Sequence, residues 1–233
     1  MSYQTFRARC IAKKAYRYHS LGQFDKALEL YAKADAMGLA NVLYMTTYGN
    51  LLIQLGEYDA AIRLFDRALS MGIQGTRRLQ IRMSRALAYI KQGRTAEAIQ
   101  IMEDVHSKAR STVTYGTLGY MYILAGDYKK ALPFTLEAMD YTDDDPVICD
   151  NLAQIYIQQG RWQDARKVLE EIYPNNKNRA DILYHLALVE QQAGNLNKAA
   201  DYARAALKCN MNTLNDASPE AVQAILDNCS SKS

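Results

Sequence analysis

Proline is scarce, with 4 in 233 residues, and glycine numbers only 12. Those shortages argue against disorder and against a turn-rich β protein. The four cysteines, Cys10, Cys149, Cys209 and Cys229, lie far apart and form no CxxC. That spacing suits neither a disulfide framework nor a zinc site, and it points to a reducing environment. No apolar run approaches the roughly 20 residues of a membrane-spanning helix, and no signal peptide is visible. The three histidines, His19, His106 and His185, are scattered, with none four residues from another. HExxH, GxSxG, Walker A and GxGxxG are all missing. No catalytic residue, metal ligand or cofactor is therefore expected, and the chain is read as no enzyme.

The residues present are ordinary for a folded protein: 49% hydrophobic and 23% charged, with a net charge of +3. Such a mild charge demands neither nucleic acid nor an anionic membrane. It hides an asymmetry, however. Residues 1–110 hold 17 Lys/Arg against 9 Asp/Glu, and residues 111–233 hold 11 against 16. Differently charged solvated faces explain this, as does steering of a partner or head-to-tail contact. The opening MSYQTFRARCIAKKAYR is basic. It reads either as a native first helix or as the basic flank of a removed anchor helix. The expected location is accordingly cytoplasmic, or the soluble portion of a membrane-anchored protein, with membrane contact only in the second case.

One phrase recurs: GQFDKALELYAKA at 22, GEYDAAIRLFDRAL at 56, GDYKKALPFTLEA at 126 and GRWQDARKVLEEI at 160. Its glycines are Gly22, Gly56, Gly93, Gly126, Gly160 and Gly194, spaced 34, 37, 33, 34 and 34. Five residues after each stands an alanine, Ala27, Ala61, Ala98, Ala131, Ala165 and Ala199. Seven residues before each stands a small residue, Ala15, Gly49, Ala86, Gly119, Ala153 and Ala187. A large side chain comes two residues after the glycine at Phe24, Tyr58, Tyr128, Trp162 and Leu196, but not at Thr95. Apolar residues between these markers keep helical spacing. Each unit thus reads as helix A, a glycine turn and helix B. The small residues permit close crossing, and the large one fills the wedge between helices.

This pattern resembles the tetratricopeptide repeat family, helix–turn–helix units of 34 residues, over about residues 8 to 210. The resemblance implies an all-α, right-handed α-solenoid of six units, forming one domain over 1–233. The repeats fall at about 8–41, 42–75, 79–111, 112–145, 146–179 and 180–213. A capping helix is expected over about 218–229, with Ser218 as N-cap and Pro219 at the first helical position. Val222, Ile225, Leu226 and Cys229 would cover the last repeat. The insertion near GIQGTRR predicts irregular packing between the second and third repeats. Pro133, inside the fourth helix B, predicts a late helix start in preference to a kink.

The resemblance also places helix A along the concave surface. Carried over by position, the partner-binding groove comprises Lys13, Tyr16, Thr47, Asn50, Met83, Ser84, Leu87, Thr117, Tyr120, Asn151, Gln154, Tyr184, His185 and Leu188. Amides, hydroxyls and aromatics with few charges suit a peptide or partner segment. Asn151→Ala and Tyr184→Ala are expected to weaken binding without lowering the melting temperature. The Lys/Asn/Arg clamp with which some relatives hold a chaperone's C-terminal carboxylate is not matched, since Ala12, Tyr16, Thr47, Gln80 and Ser84 occupy its positions. The arginines of RRLQIRMSR lack interleaved aromatics, so no nucleic acid is expected. DYTDDDPVICD lacks the ligand pattern of an EF-hand and reads as a turn into Pro146. The expected function is a non-enzymatic protein–protein interaction scaffold, in a bacterial-type setting. The alternatives are a signalling-peptide receptor domain and a secretion-type chaperone.

Overall fold

The computed structural model describes residues 3–142, 144–211 and 216–230. Thirteen α-helices and no strand occur among them. Two compact units are present, residues 1–108 and 109–233. The first holds α1 (Tyr3–Ser20), α2 (Phe24–Ala36), α3 (Val42–Gln54), α4 (Tyr58–Ser70), α5 (Gly75–Lys91) and α6 (Thr95–Lys108). The second holds α7 (Thr112–Leu124), α8 (Tyr128–Tyr141), α9 (Pro146–Gln158), α10 (Trp162–Ile172), α11 (Ala180–Gln192), α12 (Leu196–Ala206) and α13 (Pro219–Ser230). Odd-numbered helices through α11 are the A helices, and each packs on the next, even-numbered helix.

The turn between A and B helices is built the same way six times. Each marker glycine has φ between +69° and +81°, a left-handed conformation that costs glycine little. At Gly56 the backbone N–H groups of Gly56 and Glu57 donate back to Ile53 and Leu52 at 3.1 and 2.9 Å. Orphan carbonyls at the helix end are thereby satisfied, as in a Schellman turn. The six aligned alanines beyond the turns are all fully buried, as close helix crossing requires. Gly49 is tighter still: a Cβ there would stand 2.6 Å from the ring of Phe65. The large residue after the glycine fills its wedge only in part. Phe24 lies edge-on to His19 at 5.4 Å yet remains 46% exposed.

Local expectations fare unevenly. The insertion before the third repeat adds helix, so α5 begins eighteen residues before its glycine where α3 begins fourteen before. Leu64, Phe65, Ala68, Ile81 and Ala88 share one apolar cluster across the second and third repeats, so the longer α5 still joins the core of its neighbour. Pro133 does not delay its helix. α8 starts at Tyr128, in step with its siblings, and Asp127 caps it by accepting from Lys130 N at 3.2 Å. Pro133 and Lys129 are both exposed, so water can serve the Lys129 carbonyl that loses its helical donor. α13 caps its unit as expected. Ser218 Oγ accepts from Ala221 N at 3.1 Å. Val222, Ile225 and Cys229 are buried against Leu183, Ala187, Ala199 and Ala203.

Candidate functional site

Counting back from each turn glycine arranges the A-helix residues in columns. Nine residues before it stand Lys13, Thr47 and Ser84 in the first unit, and Thr117, Asn151 and His185 in the second. Six before it stand Tyr16, Asn50 and Leu87, then Tyr120, Gln154 and Leu188. Met83 and Tyr184 are ten before. A spacing of three keeps two columns on one helix face. Consecutive A helices touch within each unit, α1 with α3 and α3 with α5, α7 with α9 and α9 with α11. The expected groove residues therefore form two strips, one per unit.

The strip of the first unit is open. Lys13 and Asn50 are exposed, and Tyr16 is 41% exposed with its ring 5.9 Å from that of Tyr44. Thr47, Met83, Ser84 and Leu87 are half-buried. The Thr47 hydroxyl donates to the Leu43 carbonyl at 2.9 Å, which leaves its lone pairs able to accept. Leu43 beside it is exposed. Aromatic, amide, hydroxyl and aliphatic groups alternate here, with Lys13 the one charge among the strip residues.

The second strip is largely closed by the chain itself. Tyr120, Asn151, Gln154 and His185 are all buried. Asp216, just before α13, engages two of them. Its carboxylate accepts from Gln154 Nε2 at 2.7 Å and lies 3.2 Å from His185 Nε2. The other imidazole nitrogen, Nδ1, is 2.7 Å from Asp150 Oδ1. Burial alone would push the His185 imidazole down, but the two carboxylates overcome it and hold it well above its ordinary value. Burial also raises the Asp150 carboxyl against the pull of His185. At Asp216 burial is outweighed by His185 and the carboxyl is lowered. Each imidazole nitrogen of His185 thus faces a carboxylate, Nδ1 that of Asp150 and Nε2 that of Asp216. Burial, then Asp216 and Asp150, raise the Tyr120 hydroxyl. Burial, then Asp216, raise that of half-buried Tyr184. Thr117 keeps access through a shallow cavity of ≈ 370 Å³ beside Val113 and Val147, and Leu188 is half-buried.

These contacts change one expectation. The Asn151 amide donates to the Gly116 carbonyl at 2.9 Å and is buried. Asn151→Ala therefore acts on the fold and is corrected as a probe of binding alone. Thermal or urea unfolding should show a loss of about 1–3 kcal/mol, the cost of stranding a buried partner.

Other motifs resolve into structure. Arg82 pairs with Asp104, Arg85 with Asp66 at 2.5 Å, and Lys108 with Asp104 at 2.7 Å. Hydrogen bonds from Lys108 and Arg82 hold the Asp104 carboxyl down at about 2. Two of the four arginines of RRLQIRMSR are thus engaged by the protein's own acids. Asp145 caps α9 by accepting from Val147 and Ile148 N at 2.9 and 3.1 Å, with Pro146 in the first turn. The expected turn is present, and Asp143 lies outside the described residues. None of the four cysteines is joined to another in a disulfide. Among the described residues no His, Cys, Asp and Glu grouping is placed to hold a metal. No helix there is long and apolar enough to cross a membrane.

Sequence reasoning missed Asp150 and Asp216. Asp150 leaves a faint trace, as an acid in a column that otherwise holds Ala12, Thr46, Met83, Gly116 and Tyr184. Asp216 leaves none, because it lies outside the repeat register.

A/B helix pairs stacked within each unit, with α13 capping the second and mixed polar and aromatic side chains along the A helices, define a helical-repeat solenoid. The chain belongs to the tetratricopeptide repeat family, whose profiles match residues 13–76, 46–108 and 122–189. No curated protein matches it in sequence. Among solved structures it is similar to the hetero-tetramer Cut9–Hcn1 of APC/C, at 14% identity and TM-score 0.69, over 95% of this chain and 42% of that one. It thus spans less than half of that relative's length. A thermophilic repeat protein of Thermus thermophilus gives 19% identity and TM-score 0.65, over 81% of this chain and 98% of that one. A tetratricopeptide repeat protein of Parabacteroides merdae gives 15% and 0.59, over 96% and 98%. These likenesses are of fold.

Proposed function

We propose that the chain is a non-enzymatic scaffold that takes up an extended partner segment on the open strip of its first unit. One observation carries this: the same two columns are solvent-accessible on α1, α3 and α5 but filled by Asp216 and its partners on α9 and α11. Asn50 and Ser84 can serve the backbone of an extended guest in both hydrogen-bonding senses. Tyr16 and Leu87 supply apolar area. The His185 cluster does not argue for catalysis, because the imidazole is 1% exposed and both nitrogens are occupied by carboxylates.

The double substitution Tyr16→Ala/Asn50→Ala tests the reading. Binding to a partner captured from the source cell should weaken roughly tenfold or more, as for truncation of a central aromatic contact. Both residues are exposed, so the melting temperature should stay close to that of the parent. Unchanged affinity at unchanged stability would remove the first-unit strip as the binding surface.

A further inference from the structure

α1 departs from the column rule on the face opposite its buried alanines. Eight and five residues before their glycines, later A helices carry buried apolar residues, Tyr48, Leu118, Leu152 and Leu186 in one column and Leu51, Ala88, Met121, Ile155 and Val189 in the other, except for the half-buried, Asp66-paired Arg85 of α5. In α1 those positions are Lys14 and Arg17, both exposed. Arg7, Arg9 and Lys13 join them at helical spacings, and the first acidic residue of the chain is Asp25. Among the described residues none of these five cations is paired with a carboxylate. That sets them apart from the α5 arginines, two of which are paired with acids. Tyr3 and Phe6 stand among them, 74% and 56% exposed.

An outward face on a terminal helix needs only to be polar. α13 meets that need with Glu220, Gln223 and Asp227, all exposed. α1 goes further: its cations are single-signed, none is paired with a carboxylate among the described residues, and Arg7 and Lys14 lie over the rings of Tyr3 and Tyr18. Lysine and arginine in place of Leu, Ile and Val also disfavour a further repeat stacked there. A helix of 18 residues, about 27 Å long, presents these groups along one face suited to a flat anionic surface. Phe6 and Tyr3 suit the headgroup boundary, where aromatics anchor amphipathic helices.

We propose that the outer face of α1 docks on an anionic lipid bilayer, lying in its surface through Arg7, Lys14 and Arg17 with Phe6 and Tyr3 at the headgroup level. Phosphate-bearing headgroups supply the missing countercharge. The contact is peripheral and needs no spanning helix.

Cosedimentation of the full chain with vesicles tests this. One set is phosphatidylcholine alone, and the other contains phosphatidylglycerol and phosphatidylcholine in about equal parts. The chain should partition onto the anionic set only and be released as salt rises. Arg7→Glu/Lys14→Glu/Arg17→Glu should lose roughly 100-fold or more in partitioning, from the contribution of each cation at an anionic surface. Phe6→Ala should lose severalfold, whereas Glu29→Ala on α2 should change nothing. Far-UV circular dichroism and melting of each variant exclude unfolding. Lys13, Tyr16 and Asn50 are left intact, so failure here is separable from failure of the partner strip. Equal binding to both vesicle sets, or full binding by the triple variant, would overturn the proposal. So would stripping of the chain from anionic vesicles by duplex DNA at equal phosphate, which would assign the face to nucleic acid.

Discussion

His185→Leu should lower the stability of the second unit by about 3–5 kcal/mol, the cost of removing one partner from a buried ion pair. The loss should exceed that of any other single truncation on the strip. Two carboxylates, Asp150 and Asp216, converge on the imidazole from opposite nitrogens. Leucine matches much of the ring's volume, so packing is largely kept, but buried Asp150 loses its partner and is left near the half-buried Asp216. The pH dependence carries a definite sign. His185 is raised above its ordinary 6.5, so its contribution is complete below that value and fades as pH climbs through the folded-state value. Asp216 is lowered below its ordinary 3.8, so its contribution holds above that value and is lost as pH falls through the folded-state value. Asp150, raised above its ordinary 3.8 by burial, subtracts stability as pH rises from that value through the folded-state value. Thermal unfolding of the parent should therefore show a plateau in the mildly acidic range and a decline at alkaline pH. In His185→Gln the alkaline decline should largely vanish. A leucine variant as stable as the parent, with the same pH profile, would show that the cluster contributes little.

Gly49→Ala should destabilise the first unit by about 1–3 kcal/mol, as overpacking does in a filled core. The sign is informative because alanine in place of a helical glycine ordinarily gains up to about 1 kcal/mol. Here the added methyl would stand 2.6 Å from the Phe65 ring, and Phe65 is wholly enclosed. The ring cannot swing into solvent, so α3 and α4 must separate. Phe65→Leu should itself destabilise, yet in that background Gly49→Ala should become neutral or favourable. Such coupling is expected of side chains in direct contact. Denaturant titration of the four proteins checks it, and additive effects would show that the close approach is not limiting.

Much of the fold was legible because its rules are local and repeated. The glycines report a left-handed backbone six times, and the alanines report six close crossings. Ser218–Pro219 announced α13 by helix-start chemistry alone. The candidate site was legible only as positions, since the columns gave the residues but not their accessibility. What separates Asn50 from Gln154, one exposed and the other buried at equivalent places, is Asp216. It lies 62 residues from Gln154 in sequence, in a stretch without periodicity, and no spacing rule couples the two. Pro133 shows the opposite failure. A rule against interior proline predicted a late start, but Asp127 caps the helix, Lys129 and Pro133 are both exposed, and Ala131, Thr135 and Ala138 are buried from its first turn onward. Lys14 and Arg17 were visible as basic residues, yet their meaning emerged only when their buried counterparts in later helices were known.

Site-specific photo-crosslinking in the source cell tests the central claim most directly. A photoreactive phenylalanine analogue at position 50, on the open strip, is compared with one at position 29 on α2. The account predicts a discrete partner adduct from position 50, lost when Tyr16→Ala is added, and none from position 29. No adduct from position 50 in a folded protein, or equal adducts from both positions, would contradict it.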